Sequence, residues 1–217
     1  MSTLRTTQFR TIAALSAGAA AVTVLGLGGT AQAATPTAAP ATASTTTSVR
    51  ANALHRADLV AALGGTTKGR TSTTVGGISA CTGETRWVSV VGHRTGNASA
   101  WWHGKTGTGV SYDLSQTVAR QPSLASAKSV YRKLVRLNAE CQGETGGHWT
   151  YGAKHRPAVR GGSAVWMPAV DGDGRTPDGG VIVMRVGRMV TVAEVINPGV
   201  KPNVVRSLVQ PIARRLR

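Results

Sequence analysis

Three consecutive residues, Trp101, Trp102 and His103, are the clearest group of side chains with chemistry to offer. The surrounding run is typical of a β-strand, in which successive side chains point to opposite faces. One indole is therefore expected in the core and the other on the surface, where it can stack on a sugar ring or a base. The alternative is that both indoles pack beneath helices. We take all three residues as candidate ligand-binding residues.

A row of basic residues follows on a predicted helix. Lys128, Arg132 and Arg136 are spaced by four, which puts them on one helix face. Such a row is suited to contacts with phosphates, although a charged row is also typical of a helix face that is simply solvated. Arg132 and Arg136 are the second set of candidate ligand-binding residues.

The histidine pattern predicts no metal site. No two of the histidines have the four-residue spacing of a helical metal site; they are His55, His93, His103, His148 and His155. The string from Asp171 to Gly174 is similar to a calcium loop, but its glycine falls at position four and Arg175 occupies position five, where an oxygen ligand is needed. A polar hairpin loop is the better interpretation, and no cofactor is predicted.

Motifs for nucleophilic catalysis are absent from the sequence. There is no Gly-x-Ser-x-Gly, and the nearest string, from Gly161 to Ala164, lacks the closing glycine. The nine carboxylates are scattered, so only the tertiary structure can pair them. We predict a protein without catalytic activity. A cleft with two carboxylates, or a carboxylate beside His103 or His148, would favour a hydrolase.

The N-terminal residues predict export. Arg5 and Arg10 precede an uncharged run that ends at Ala31-Gln32-Ala33, which is the pattern of a cleaved secretory signal peptide. Residues 1–33 are the predicted signal peptide, and residues 34–50, rich in Ala, Thr and Pro, are a predicted disordered tether. Residues 51–217 then form one domain. We expect a secreted protein with no membrane span after cleavage.

The charge of the secreted part is strongly positive. Removal of the two arginines in residues 1–33 leaves 23 Lys and Arg against nine Asp and Glu, a net charge of +14. This excess favours contact with anionic surfaces, which outside a cell are wall polymers and acidic lipid headgroups. Stray nucleic acid is attracted in the same way but is not an expected physiological partner. An arginine-rich composition can equally reflect genomic base bias.

Two cysteines, Cys81 and Cys141, are predicted to form one disulfide in an exported chain of this size. The bridge would close a loop of about 60 residues, worth roughly 4 kcal/mol in the chain-entropy model. The alternatives are a pair of metal ligands or a reactive thiol. No second pair of ligands lies at the spacing of a zinc site.

Periodicity predicts helices on either side of a sheet. Residues 122–142 are predicted to form one long amphipathic helix, which Ser123 caps and Gly143 closes. Earlier in the chain, a short predicted helix ends at Gly64-Gly65. The segment 202–217 is a second packing helix, and Pro211 predicts a break near Leu208.

Six runs are predicted strands, two of them joined in a hairpin. Residues 87–91, 98–102 and 110–118 are short, apolar runs that lie before the long helix, and residues 163–167 are a strand that Pro168 ends. Residues 181–196 form a hairpin that turns at Gly187-Arg188 with Ile182 facing Ala193, and apolar residues on both faces place it in the middle of the sheet.

The order of these elements resembles a known family. A short helix with Leu-x-x-Ala-Asp-Leu (54–59) is followed by a Cys, by strands, by a long helix closed by a Cys, by a hairpin turning at Arg-x-Gly (185–187) and by a C-terminal helix. This order is similar to the extracellular sensor domain of actinobacterial serine/threonine kinases of the PknH type and its stand-alone secreted or lipoprotein relatives. The resemblance covers residues 52–217.

The resemblance implies an α+β fold in which a curved antiparallel sheet packs against a long helix and a C-terminal helix. It also implies a cleft for an unidentified extracellular ligand, and it matches Cys81 and Cys141 to the cysteine pair around the long helix. The leading prediction is thus a non-catalytic ligand-binding domain that associates with anionic wall polymers. The alternatives are a secreted hydrolase of wall material and a structural wall-associated protein.

Overall fold

The computed structural model describes residues 49–73, 87–92, 96–140 and 149–217. The predicted signal peptide, most of the tether, both cysteines, His93, His148 and Gly143 lie outside these ranges. The signal peptide, the tether and the Cys81–Cys141 disulfide therefore stay predictions. No helix in the described ranges has the length and apolar character needed to span a membrane.

Seven antiparallel strands form one sheet that is not closed into a barrel, in the order β1-β2-β3-β7-β6-β5-β4. The strands are β1 (Thr66–Ser72), β2 (Gly96–Lys105), β3 (Ser111–Arg120), β4 (Trp149–Tyr151), β5 (Gly162–Asp171), β6 (Pro177–Val186) and β7 (Met189–Ile196). The helices are α1 (Arg56–Leu63), α2 (Trp87–Val91), α3 (Leu124–Glu140), α4 (Pro202–Ser207) and α5 (Val209–Arg215). The α+β class is as predicted.

Each face of the sheet carries its own core. On one face Ile182, Met184 and Ala193 pack with α1, α4 and α5. On the other face Val183 and Val192 pack with α2 and α3. The β6–β7 hairpin contributes to both cores because its apolar residues alternate between the two faces, which confirms the prediction of a central hairpin.

Helix α3 begins and packs as its sequence predicts. The Ser123 hydroxyl accepts a hydrogen bond from the Ser126 N–H at 3.0 Å, which satisfies one of the free amides of the first turn. Ala127, Val130 and Leu134 are buried against the sheet, while the basic residues take the outer side. The C-terminal segment is divided at Leu208 into α4 and α5, so the predicted break is confirmed.

Two expectations about strands are wrong, and one strand was not predicted. Residues 87–91 form helix α2, because Trp87, Val90 and Val91 are buried together at helical spacing. The polar segment after Gly65 forms the edge strand β1, which apolar alternation does not reveal. Strand β5 does not end at Pro168 but continues to Asp171. The strand pairing shifts register between Pro168 and Val170, which accommodates a residue that has no N–H to donate. The Pro168 carbonyl accepts a hydrogen bond from the Gly152 N–H at 2.7 Å.

The strands fix two ends of the sheet. The hairpin end is where the Gly187-Arg188 turn, the end of β3 and the start of β5 meet, since Val186 pairs with both Met189 and Gly162. At the opposite end β3 and β6 start and β5 and β7 finish. The Tyr151 hydroxyl of β4 lies 3.4 Å from a carboxylate oxygen of Glu194 on β7.

Candidate functional site

Strand β2 puts its two tryptophans on opposite faces, as the alternation predicts. Trp102 is 7% exposed and packs in the core, whereas Trp101 is 52% exposed. The core position depends on Gly69 of the neighbouring strand, because a Cβ there would lie 2.7 Å from the Trp102 ring. Trp101 is thus the surface indole, and Trp102 is a core residue with no access to a ligand.

His103 lies beside a carboxylate from the neighbouring strand. Its Nδ1 is 2.9 Å from Asp113 Oδ1, and the Asn197 side chain donates to Asp113 Oδ2 at 3.4 Å. This arrangement holds the ring by Nδ1 and leaves Nε2 as the outward nitrogen. The side chains of His103 and Asp113 are 55% and 43% exposed, so water surrounds the pair. Trp101 lies nearly parallel to His103, with ring centroids 6.4 Å apart.

A second carboxylate occupies the same side of the sheet. The Glu194 carboxylate accepts hydrogen bonds from the Ser115 hydroxyl at 3.5 Å and from the Tyr151 hydroxyl at 3.4 Å. The face around Trp101 therefore combines an exposed indole with a histidine and two carboxylates, and the histidine and both carboxylates have hydrogen-bond partners within the fold.

Arg132 and Arg136 lie apart from Trp101 and His103. They border a shallow depression of about 370 Å³ that is otherwise lined by Ser129 and Lys133, all on helix α3. Arg136 Nε is 3.9 Å from Glu140 Oε1, an exposed pair one helix turn apart. The two predicted sets of candidate residues thus do not form one site.

A larger cavity at the hairpin end is lined by four arginines. It has a volume of about 650 Å³, which lies in the range of small-molecule sites. Its lining contains no carboxylate side chain; the residues are Asn52, Arg120, Arg160, Gly161, Val186, Gly187, Arg188, Met189, Leu216 and Arg217. We refer to it as the arginine cavity.

Four separate chain segments supply these arginines. Arg120 is the last residue of β3, Arg188 lies in the β6–β7 turn, and Arg160 lies in the turn before β5. Gly161 and Gly187 adopt φ values of 71° and 53° in those turns, a region that side chains disfavour, so the turns bring the arginines to the cavity rim without crowding it. Arg217 follows helix α5.

The arginines of the cavity carry charge that the fold does not neutralise. Arg188 donates to the Pro122 carbonyl at 3.3 Å. Among the described residues, none of the four forms an ion pair with a carboxylate. Nearby Arg215 differs, because its Nε is 2.7 Å from Asp58 Oδ2. Like charges around one concavity raise the local potential and attract anions.

The sequence alone does not reveal this cavity. Its arginines are separated by 28 to 40 positions, and none belongs to a motif. The one available signal is the excess of basic over acidic residues, and composition does not say where in the fold these residues meet. Among the described residues no cluster of three or more His, Cys, Asp or Glu side chains is placed to hold a metal ion.

The fold defines an α+β domain with a seven-stranded antiparallel sheet. No protein-family model matches the sequence, and no curated protein matches it. The structure is similar to the extracellular domain of PknH from Mycobacterium tuberculosis, with 13% sequence identity and a TM-score of 0.49, over 79% of this chain and 93% of that chain.

Proposed function

We propose that the protein is a non-catalytic extracellular domain that binds an anionic ligand in the arginine cavity. The observation that carries the proposal is the convergence of four arginines on one concavity of about 650 Å³ without a carboxylate side chain in its lining. Guanidinium groups bind phosphate and carboxylate through paired N–H donors, and such charge-assisted bonds are stronger than neutral ones. Anionic wall polymers are the ligands of this class that an exported protein meets.

The cavity is open enough for a polymer to cross it. Arg160, Arg188 and Arg217 are exposed, and Arg120 is partly buried. Since the arginines come from separate segments, a chain with repeating charges can contact several of them at once. Binding of this kind is expected to weaken steeply as the salt concentration rises, because each contact displaces counterions.

The test is titration of the purified protein with sodium polyphosphate, followed by isothermal calorimetry at two salt concentrations. Replacement of Arg120→Gln together with Arg160→Gln is expected to reduce affinity by about tenfold or more, since each charged hydrogen bond contributes about 1.5–3 kcal/mol. The matched control is Arg132→Gln with Arg136→Gln, which removes the same charge from helix α3. Equal losses in the two double variants would mean that net charge alone attracts the polymer, against the proposal.

A second candidate function is hydrolysis of wall material. The observation that favours it is the carboxylate of Asp113 beside His103, next to the exposed ring of Trp101. An aspartate that orients a histidine is a common part of general-base sites. Release of soluble fragments from isolated cell walls by the protein, lost in His103→Gln, would support this candidate. Equal release by the protein and the variant would exclude His103 from any such activity.

A further inference from the structure

Arg185 is a buried cation without an acidic partner. It lies in the middle of the apolar strand β6 and is 9% exposed. Its side chain emerges on the face opposite to Met184 and Val186, because strand residues alternate. The guanidinium donates to the Gly187 carbonyl at 3.2 Å and to the Ser163 hydroxyl at 3.5 Å. Among the described residues it forms no ion pair with a carboxylate.

A buried charge with so few partners is costly. Transfer of an ion from water into a protein interior is unfavourable unless an opposite charge and further hydrogen bonds compensate it. Neutral acceptors, such as a carbonyl and a hydroxyl, compensate only a part, and most of the five N–H donors of the guanidinium remain available. Within the described part of the chain, no anion supplies the remaining compensation.

Ser163 contacts Arg185 directly, and Tyr131 is close enough to feel the charges of both Arg185 and Arg156. Ser163 is the direct neighbour of Arg185 on β5. Tyr131 is a partly buried residue of helix α3, and the positive charges of Arg156 and Arg185 both act on its phenol. His155 pairs with Trp166 of strand β5, so the next residue, Arg156, also lies beside β5. The group thus combines two guanidinium groups with two hydroxyls.

The Tyr131 phenol keeps its proton at neutral pH. Burial raises its pKa above the ordinary value of 10.0, and the charges of Arg156 and Arg185 lower it only in part. It is therefore available as a hydrogen-bond donor. Donors from several directions suit a compact tetrahedral oxyanion better than a planar carboxylate, which is matched by a single guanidinium fork.

We propose that Arg185, Ser163, Tyr131 and Arg156 form a phosphate-binding subsite between strand β5, strand β6 and helix α3. The proposal rests on the proposed function and names the group that is recognised, a phosphate. The Gly187 carbonyl that holds Arg185 belongs to the turn that lines the arginine cavity. The Gly187 turn thus connects the cavity on one face of the sheet with the subsite on the other.

The experiment is calorimetric titration with inorganic phosphate, and separately with polyphosphate, which distinguishes a free ion from a polymer-borne group. Tyr131→Phe and Arg156→Gln alter residues at the edge of the core and are expected to leave the fold intact. We expect Arg156→Gln to reduce phosphate affinity about tenfold and Tyr131→Phe about threefold. The control, Arg132→Gln, removes one positive charge from the outer side of helix α3 and is expected to change inorganic phosphate affinity by less than twofold.

Absence of saturable phosphate binding to the unmodified protein would overturn the subsite. So would phosphate affinities within twofold of the unmodified protein in both Arg156→Gln and Tyr131→Phe, provided that both variants keep the original circular dichroism spectrum. The two proposals fail separately. Phosphate binding that needs Tyr131, combined with polymer binding that does not need Arg120 and Arg160, would support the subsite and reject the arginine cavity.

Discussion

The two ends of the sheet differ in charge and in how that charge is satisfied. The hairpin end carries Arg120, Arg160, Arg185, Arg188 and Arg217, and among the described residues none of them pairs with a carboxylate. The opposite end carries Asp113, Asp171, Asp173, Asp178 and Glu194. These carboxylates thus gather at one end, where Lys105 and Arg175 also lie, whereas these arginines, which have no acidic partner among the described residues, gather at the other.

The carboxylates of the opposite end are mostly held by local hydrogen bonds. Asp173 accepts bonds from the Arg175 and Thr176 amides and the Thr176 hydroxyl, all within its own loop. Asp113 is held by His103 and Glu194 by Ser115. These groups have structural partners, whereas the arginines lack counter-charges. Within the described ranges, the arginines of the hairpin end thus have no acidic partner.

The largest effect on stability is expected at Asp58, the carboxylate that neutralises an arginine near the cavity. Asp58 is 15% exposed and accepts both the Arg215 guanidinium at 2.7 Å and the His55 amide at 2.8 Å. We expect Asp58→Asn to lower the free energy of unfolding by about 1–2 kcal/mol, because it leaves Arg215 unpaired. Urea denaturation measures the change. Glu140→Gln, which breaks the exposed pair with Arg136, is the control and should cost under about 0.5 kcal/mol.

A smaller effect of opposite sign is expected at Asp178. Burial raises its pKa above 3.8, the charge of Asp171 adds to the rise, and the Asn197 amide opposes it. Its Oδ1 is buried without a hydrogen-bond partner. The folded state therefore binds the Asp178 proton more tightly than the unfolded state, and stability falls as pH rises through the window above 3.8. Asp178→Asn should stabilise the protein by about 1 kcal/mol at pH 7.

The pH dependence provides the check on Asp178. The gain from Asp178→Asn should disappear below pH 3.8, where the wild-type carboxyl is protonated in both states. Asp173→Asn is the control of opposite sign, since hydrogen bonds from Thr176 and Arg175 lower the pKa of Asp173. It should destabilise the protein at pH 7, with a loss that fades as pH falls through and below the ordinary pKa. A gain from Asp178→Asn that is constant from pH 3 to 7 would contradict the desolvation argument.

The smallest effect is expected for the exposed pair on β2 and β3. His103→Ala should change the free energy of unfolding by less than about 0.5 kcal/mol, because both partners are surrounded by water. It should also leave polyphosphate affinity unchanged. Thermal denaturation and calorimetry measure the two quantities. A loss of polymer affinity in this variant would move the binding site to the Trp101 face.

Local patterns predict the elements whose residues determine their own structure. Helix α3 has a complete apolar stripe and a serine cap, and the β6–β7 hairpin has a glycine turn between alternating apolar runs. Pro211 breaks the C-terminal helix as expected. The polar strand β1 is different, since it exists because its backbone pairs with β2 and because Gly69 lets Trp102 approach. Partners of that kind are invisible in a single sequence.

The sequence by itself determined the long helix, the central hairpin, the placement of Trp101 and Trp102 on opposite faces and the excess of positive charge. Each of these follows from residues a few positions apart or from composition. Only the tertiary structure decided where the charge is concentrated, because Arg120, Arg160, Arg188 and Arg217 lie far apart in the chain and meet at one end of the sheet. Electrostatic potential depends on distances in space, and the strand order sets those distances.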